Sequence, residues 1–367
     1  MSVDNTGMTV GEIDLIAMAT QSRKIANRNS PVPMDRIQPG VFQYALSRAK
    51  KFGSPVQGGY RFLVKGNRGQ KLQWWQGADI LTFENRQNLS DMVFDIGMGH
   101  MGWELIYDTI KRAGIPVSYT SDIREGGVSP KAYEVACNIV ESTFDDIEYD
   151  IMLDMSKRFL TSNSDAAKCF TGRHGLIDPT TNNTGTIGKR SRTSRPFQHQ
   201  LITGVTADTI MKSFFTMIQR ANRRAGGTKI DYISCGDTAF GLLVDLFQGN
   251  STTAGKFDYR AAREYAQKKG EKFNIAMPQN CFAYEDTLIV NDPIYQELGL
   301  EYPANAYDFG KVIDFWNFSH FGVMPVVPEA DITHPLPYNQ RVARGSKHVE
   351  YVEWCDLPSS QGVMLVG

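Results

Sequence analysis

The chain has 367 residues, 41% hydrophobic and 22% charged, with a formal net charge of −1. That mix fits a globular chain of two or three domains with a sizeable core, and the balanced charge leaves no overall field to draw the molecule to nucleic acid or membrane. Five well-separated cysteines, Cys137, Cys169, Cys235, Cys281 and Cys355, form no C-x-x-C pair and read as reduced thiols; the acids Asp4, Glu12 and Asp14 argue against a secretory leader, and no run of about 18 apolar residues could span a bilayer.

Residues 1–58 read as an N-terminal arm. Two short amphipathic segments, Val10 to Ala26 and Val41 to Phe52, are separated by Asn29-Ser30-Pro31-Val32-Pro33. Neither is expected to be stable alone, because isolated helices below about 12 to 15 residues are marginal in water and only packing rescues longer ones. Residues 1–76 hold eleven Lys or Arg against four acids, a surplus of +7, so the remainder carries −8. Such a basic segment is expected to meet an acidic surface of its own kind or a polyanion.

Tyr60 to Lys65 and Gln70 to Phe83 read as extended runs hinged at Gly66-Asn67-Arg68-Gly69, a hairpin signal. A lone hairpin is only marginally stable. Trp74 and Trp75 are neighbours, and on a strand they point to opposite faces, so at least one needs a partner that the hairpin cannot supply.

Met92 to Ile96 predicts a strand, followed by Gly97-x-Gly99-x-x-Gly102, a short helix from Trp103 to Arg112, a second strand Ile115 to Tyr119, and Asp122 where a ribose-binding acid would stand. Locally this spells a dinucleotide site. The next element, however, is a long acidic helix and not another strand-helix unit, which favours glycines that let a twisted strand turn and pack closely.

Ser129 and Pro130 supply an N-cap and a first-turn proline. Ala132, Ala136, Val140, Phe144, Ile147, Ile151, Met155 and Phe159 then draw one apolar stripe to about Leu160, predicting a helix over 130–160 roughly 45 Å long. Its other faces are acidic. Asp145-Asp146-x-x-x-Asp150 would need a second acidic helix opposite to hold a metal diphosphate, and none is offered, so the face reads as solvated or partner-facing.

Residues 172–200 predict a polar loop. Within it Lys189, Arg190, Arg192 and Arg195 could contact phosphates without reading sequence, or carboxylates of a neighbour, or solvent alone. Beyond it come a helix capped at Thr206 with stripe Ile210, Phe214, Ile218, Ala221 and Ala225, a strand Ile230 to Cys235 and a helix Thr238 to Phe247. Arg220, Arg223 and Arg224 suit the negative end of the first of these helices. Strand-like runs follow at Cys281 to Val290, Val312 to Phe321, Val349 to Trp354 and Gly362 to Val366. The six histidines show no metal-ligand spacing and no serine occupies a G-x-S-x-G elbow, so zinc and hydrolase chemistry have no support.

The order of parts, with Gln73-Trp74-Trp75-Gln76-Gly77, Glu104-Leu105-Ile106-Tyr107-Asp108 to Lys111-Arg112-Ala113-Gly114-Ile115, Gly175-Leu176-Ile177-Asp178-Pro179-Thr180-Thr181 and Gly185-Thr186-Ile187-Gly188, resembles the major capsid proteins of tailed bacteriophages, a fold shared with encapsulins and the herpesvirus capsid floor. The resemblance covers roughly residues 59–367. It implies an α+β chain with an N-arm (1–58), an extended hairpin loop (59–84), a peripheral domain (85–172) with spine helix 130–160, an axial α/β domain (173–302) and a return to the peripheral domain (303–367).

It also implies a virion subunit, assembled in the host bacterial cytoplasm. Such subunits form hexamers and pentamers of an icosahedral shell around double-stranded DNA, with portal and scaffolding proteins and sometimes a decoration protein as partners. No catalytic, cofactor or metal residue is expected, and no membrane partner. Trp74, Trp75, Arg68, Lys65 and Lys71 are the candidate intersubunit contacts; Lys189, Arg190, Arg192 and Arg195 are candidates for phosphate or intersubunit contact. Two readings stay open beside this one: an encapsulin-like cellular shell, and a dinucleotide-dependent oxidoreductase using Gly97-x-Gly99-x-x-Gly102.

Overall fold

The structure, a computed structural model, describes residues 40–49, 59–65, 89–106, 130–162, 169–193, 197–249, 259–272, 280–302, 306–334 and 342–367. In chain order these form α1 (Gly40–Ser47), β1 (Tyr60–Lys65), β2 (Leu89–Phe94), β3 (Ile96–Ile106), α2 (Pro130–Leu160), α3 (Arg173–Leu176), β4 (Thr186–Ile187), β5 (Arg190–Ser191) and β6 (Gln200–Val205). Then follow α4 (Ile210–Arg224), β7 (Tyr232–Cys235), α5 (Asp237–Gly249), α6 (Tyr259–Lys272), β8 (Cys281–Tyr284), β9 (Thr287–Asn291), α7 (Ile294–Glu301), β10 (Val312–Trp316), β11 (Phe321–His334), β12 (Val342–Cys355) and β13 (Gly362–Val366). The chain divides into two compact units: residues 1–36, 98–154 and 328–349, and residues 37–97, 155–327 and 350–367.

The second unit is built on a six-stranded mixed sheet in the order β6-β13-β10-β7-β9-β8. Side chains alternate with a period of two. Ile313 and Phe315 of β10, Ile233 and Cys235 of β7, Ile289 of β9 and Met364 and Val366 of β13 share one core with Phe214 and Met217 of α4 and Leu243 and Phe247 of α5. The alternate residues Asp314, Trp316, Tyr232 and Ser234 are also buried, so the central strands are covered on both faces and every residue of β10 is inside. β11, β12 and β3 form a three-stranded sheet in that order, of which residues 328–334, 342–349 and 98–106 belong to the first unit. Trp103 lies over Gly345 so closely that a Cβ there would come within 2.3 Å of its ring, and Lys347 pairs with Glu148 of α2 at 3.0 Å.

Several expectations need correction. The described partner of β1 is β2, antiparallel with Tyr60 opposite Phe94 and Lys65 opposite Leu89. The run 70–83 and the turn 66–69 lie outside the described residues, as do Val10 to Ala26, Ile115 to Tyr119 and Asp122. The helix expected to open at Trp103 is strand through Ile106. β10 and β13, expected with the returning C-terminal part, lie inside the six-stranded sheet. β6, α6 and α7 have no counterpart in the sequence reading. The helix over 130–160 forms as its stripe and proline start require, with Ile147, Ile151, Met155 and Phe159 buried.

Candidate functional site

Among the described residues of the second unit, the most heavily bonded cluster of polar side chains is centred on Arg173 of α3. Its Nη1 donates to Gln361 Oε1 at 3.0 Å, its Nη2 to the Phe315 and Gly362 carbonyls at 2.9 and 3.2 Å, and its Nε to Asp314 at 3.4 Å. The guanidinium stacks on Trp316 at 4.1 Å and Phe321 at 4.8 Å. His174 joins Tyr307 Oη at 2.6 Å to the second oxygen of Asp314 at 2.9 Å, and Tyr295 donates to that same oxygen while meeting Ser234 Oγ at 2.9 Å. Burial opposes ionisation of Asp314, yet His174, Arg173 and Tyr295 together hold its carboxyl below the ordinary value. Arg173, His174 and Asp314 side chains are wholly buried. Enclosed in this way, the cluster fastens α3, β10 and the segment before β13 together.

The chain reaches this cluster through Gly172, where a Cβ would stand 1.8 Å from the Thr161 carbonyl at the end of α2. Only glycine passes there. After α3, Asp178 Oδ1 accepts from the Thr180 backbone N–H and hydroxyl, each at 2.7 Å, an Asx turn that accounts for the Asp178-Pro179-Thr180 phrase. β4 and β5 then pair around Gly188 and Lys189, both left-handed (φ 53° and 63°), the pattern of a type I′ hairpin.

This small hairpin sits on the base of the β1–β2 ribbon. Val93 N–H donates to the Gly188 carbonyl at 3.2 Å, Arg190 Nε to the Asp91 carbonyl at 2.7 Å, and Lys189 stands 3.6 Å from Asp95. Arg192 is 3% exposed and donates to the Gly175 carbonyl at 2.7 Å. Burial pushes its pKa down, with Asp178 opposing. Beside it His199 donates to the Asp178 carbonyl at 2.8 Å and is pushed down to about 3, by burial first and then by Arg192. Arg192 is therefore committed inside the subunit and offers nothing to a phosphate or a neighbour. Arg190 braces the ribbon, Lys189 remains exposed, and Arg195 lies outside the described residues.

Trp74, Trp75, Arg68 and Lys71 also lie outside the described residues, and Lys65 ends β1. The sequence reading missed Arg173, His174 and Asp314. One signal was there: Asp314 stands alone in the apolar run Val312 to Trp316, and a lone acid in a buried strand requires a partner.

No protein-family model matches the chain. A curated relative, the acetyl-coenzyme A carboxylase carboxyl transferase subunit beta of Leuconostoc mesenteroides, is 28% identical over 110 residues, 30% of this chain, and the chain spans only 38% of that relative's length. Solved structures match far more of it. The capsid asymmetric unit of cyanophage A-1(L) is 11% identical with a TM-score of 0.57, over 93% of this chain and 96% of that one. The chain has the tailed-phage capsid fold. A structure from Mycobacterium phage Ogopogo (11% identity, TM-score 0.51, 95% and 99% covered) and the capsid of the native GTA particle (10%, 0.52, 93% and 94%) share it.

Gly97, Gly99 and Gly102 lie within β3, and the chain continues as strand through Ile106, where a helix N-terminus receiving a pyrophosphate would have to begin. Gly97 has a packing role instead, since a Cβ there would meet the Phe170 backbone nitrogen at 2.5 Å. The dinucleotide reading falls on this geometry.

Proposed function

We propose that this chain is the major capsid protein of a tailed phage, a structural subunit that assembles with itself into the pentamers and hexamers of an icosahedral head enclosing double-stranded DNA. The observation that carries this reading is the end-to-end likeness to capsid subunits, 93% of this chain against 96% of the cyanophage one. The chain's own construction supports it. The β1–β2 ribbon leaves Leu63 67% exposed, and a two-stranded ribbon cannot bury its own apolar groups. In this reading α1 roots the arm, the ribbon is the base of the extended loop that carries Trp74 and Trp75 to a neighbour, α2 is the spine of the peripheral domain and the six-stranded sheet is the axial domain. Portal, scaffolding and decoration proteins are further partners, and the subunit resides in the virion after assembly in the bacterial cytoplasm.

Electron microscopy of the purified chain tests this. Closed shells of uniform diameter are the expected result; dispersed small particles under every salt and pH condition would count against it. Shells that enclose a co-expressed enzyme and exclude DNA would replace the phage head by a cellular compartment.

A further inference from the structure

With Arg192 buried and Arg190 held through its Nε on the Asp91 carbonyl, the strongest cationic surface among the described residues of the second unit is the outer face of α4. The helix, Ile210 to Arg224, contains no acid. Ile210, Phe214, Met217 and Ala221 bury one side, while Lys212, Arg220, Arg223 and Arg224 are all exposed and occupy roughly a third of the circumference on the other. Among the described residues none of the four is held by an ion pair or hydrogen bond. Complementing the helix dipole accounts for Arg223 and Arg224 in the last turn, but Lys212 stands in the first turn, where a cation is disfavoured. The face therefore exceeds what the helix needs for its own stability.

We propose that this face of α4 binds the phosphate backbone of double-stranded DNA without reading its sequence. From Lys212 to Arg224 the helix runs about 18 Å, enough to follow several phosphates of one strand. Guanidinium forks match phosphate oxygens bidentately, and Arg220, Arg223 and Arg224 at i, i+3 and i+4 are surface neighbours. An acidic face on a second copy is the competing occupant; three forked donors on an acid-free helix fit a regular row of phosphates better than scattered carboxylates. The proposal deepens the capsid reading by naming the surface that meets the genome, yet DNA binding is measurable whether or not shells form.

The test is fluorescence anisotropy of a random-sequence duplex against the full chain from about 50 to 200 mM salt, with particle formation followed in parallel. In the R220Q/R223Q/R224Q variant the slope of log affinity against log salt should fall by about 3, since each lost phosphate contact removes about 0.9. The R220K/R223K/R224K variant should retain most of the slope, and K229Q/K268Q, which removes two exposed cations elsewhere, should leave the α4 contribution intact. An unchanged slope in the glutamine variant overturns the proposal. So does loss of particles with DNA affinity untouched, which would assign the face to a contact between copies.

Discussion

Glu353 lies in β12, 1% exposed, with neither carboxylate oxygen hydrogen-bonded. Burial raises its pKa well above the ordinary 4.5, and Arg173, already engaged by Asp314 and Gln361, opposes this only weakly. A raised folded value means that its contribution to stability is complete below about pH 4.5 and is lost as pH rises toward the folded value. Glu353→Met should therefore stabilise the chain, and its advantage over the parent should grow by up to about 1.4 kcal/mol per pH unit between 4.5 and the folded value and then level off; urea unfolding from pH 5 to 8 checks it, and a pH-independent difference would refute it. Asp314 acts oppositely. Its folded value is depressed, so its contribution is present above about 3.8 and is lost in acid. Asp314→Ala, leaving Arg173 buried without its carboxylate, should cost about 3–5 kcal/mol. Asp314 was legible only as an anomaly, a lone acid in an apolar strand, whereas Glu353 shares β12 with Glu350 and several cations and gave no signal. Arg173 and His174, which meet Asp314, stand 141 and 140 residues away in the chain, and no local spacing reveals them.

At the scale of elements, α1 is fixed at both ends. Asp292 accepts from the Val41 N–H at 2.8 Å and caps the start, while Arg48 pairs with Asp231 beyond the end. Between them Phe42 lies 5.4 Å from Phe159 and Tyr44 4.7 Å from Tyr232. Phe42→Ala should cost about 3–5 kcal/mol in urea unfolding, since the pocket around Phe159 cannot collapse without moving α2; a cost below about 1 kcal/mol would mean that α1 is not docked. α2 was legible because an apolar stripe and a Ser-Pro start act within one segment. The elements that were missed lack such signals. α6 buries few residues beyond Ala266 and carries five cations, and α7 opens after Asp292-Pro293, which reads as a break although proline suits a helix start. β6 is an edge strand with a left-handed Gly204. The β1–β2 pairing escaped because a tight-turn signal at residues 66–69 competed with a partner more than twenty residues downstream.

For the whole molecule, the capsid fold was legible before any contact was known, and solved capsid structures share it over nearly the full chain. What sequence order could not convey is that β10 and β13 return into the sheet begun by β6 and β7, because strand neighbours far apart in sequence are chosen by burial on both faces and not by local pattern. The Arg173 cluster follows from that topology, since it joins the segments that must come together when the C-terminal strand closes the sheet. The function proposed for this chain rests on its assembly, which light scattering coupled to size exclusion measures directly on the purified protein: a population of megadalton mass is expected, and a stable monomer or dimer persisting at tens of micromolar would refute a shell subunit.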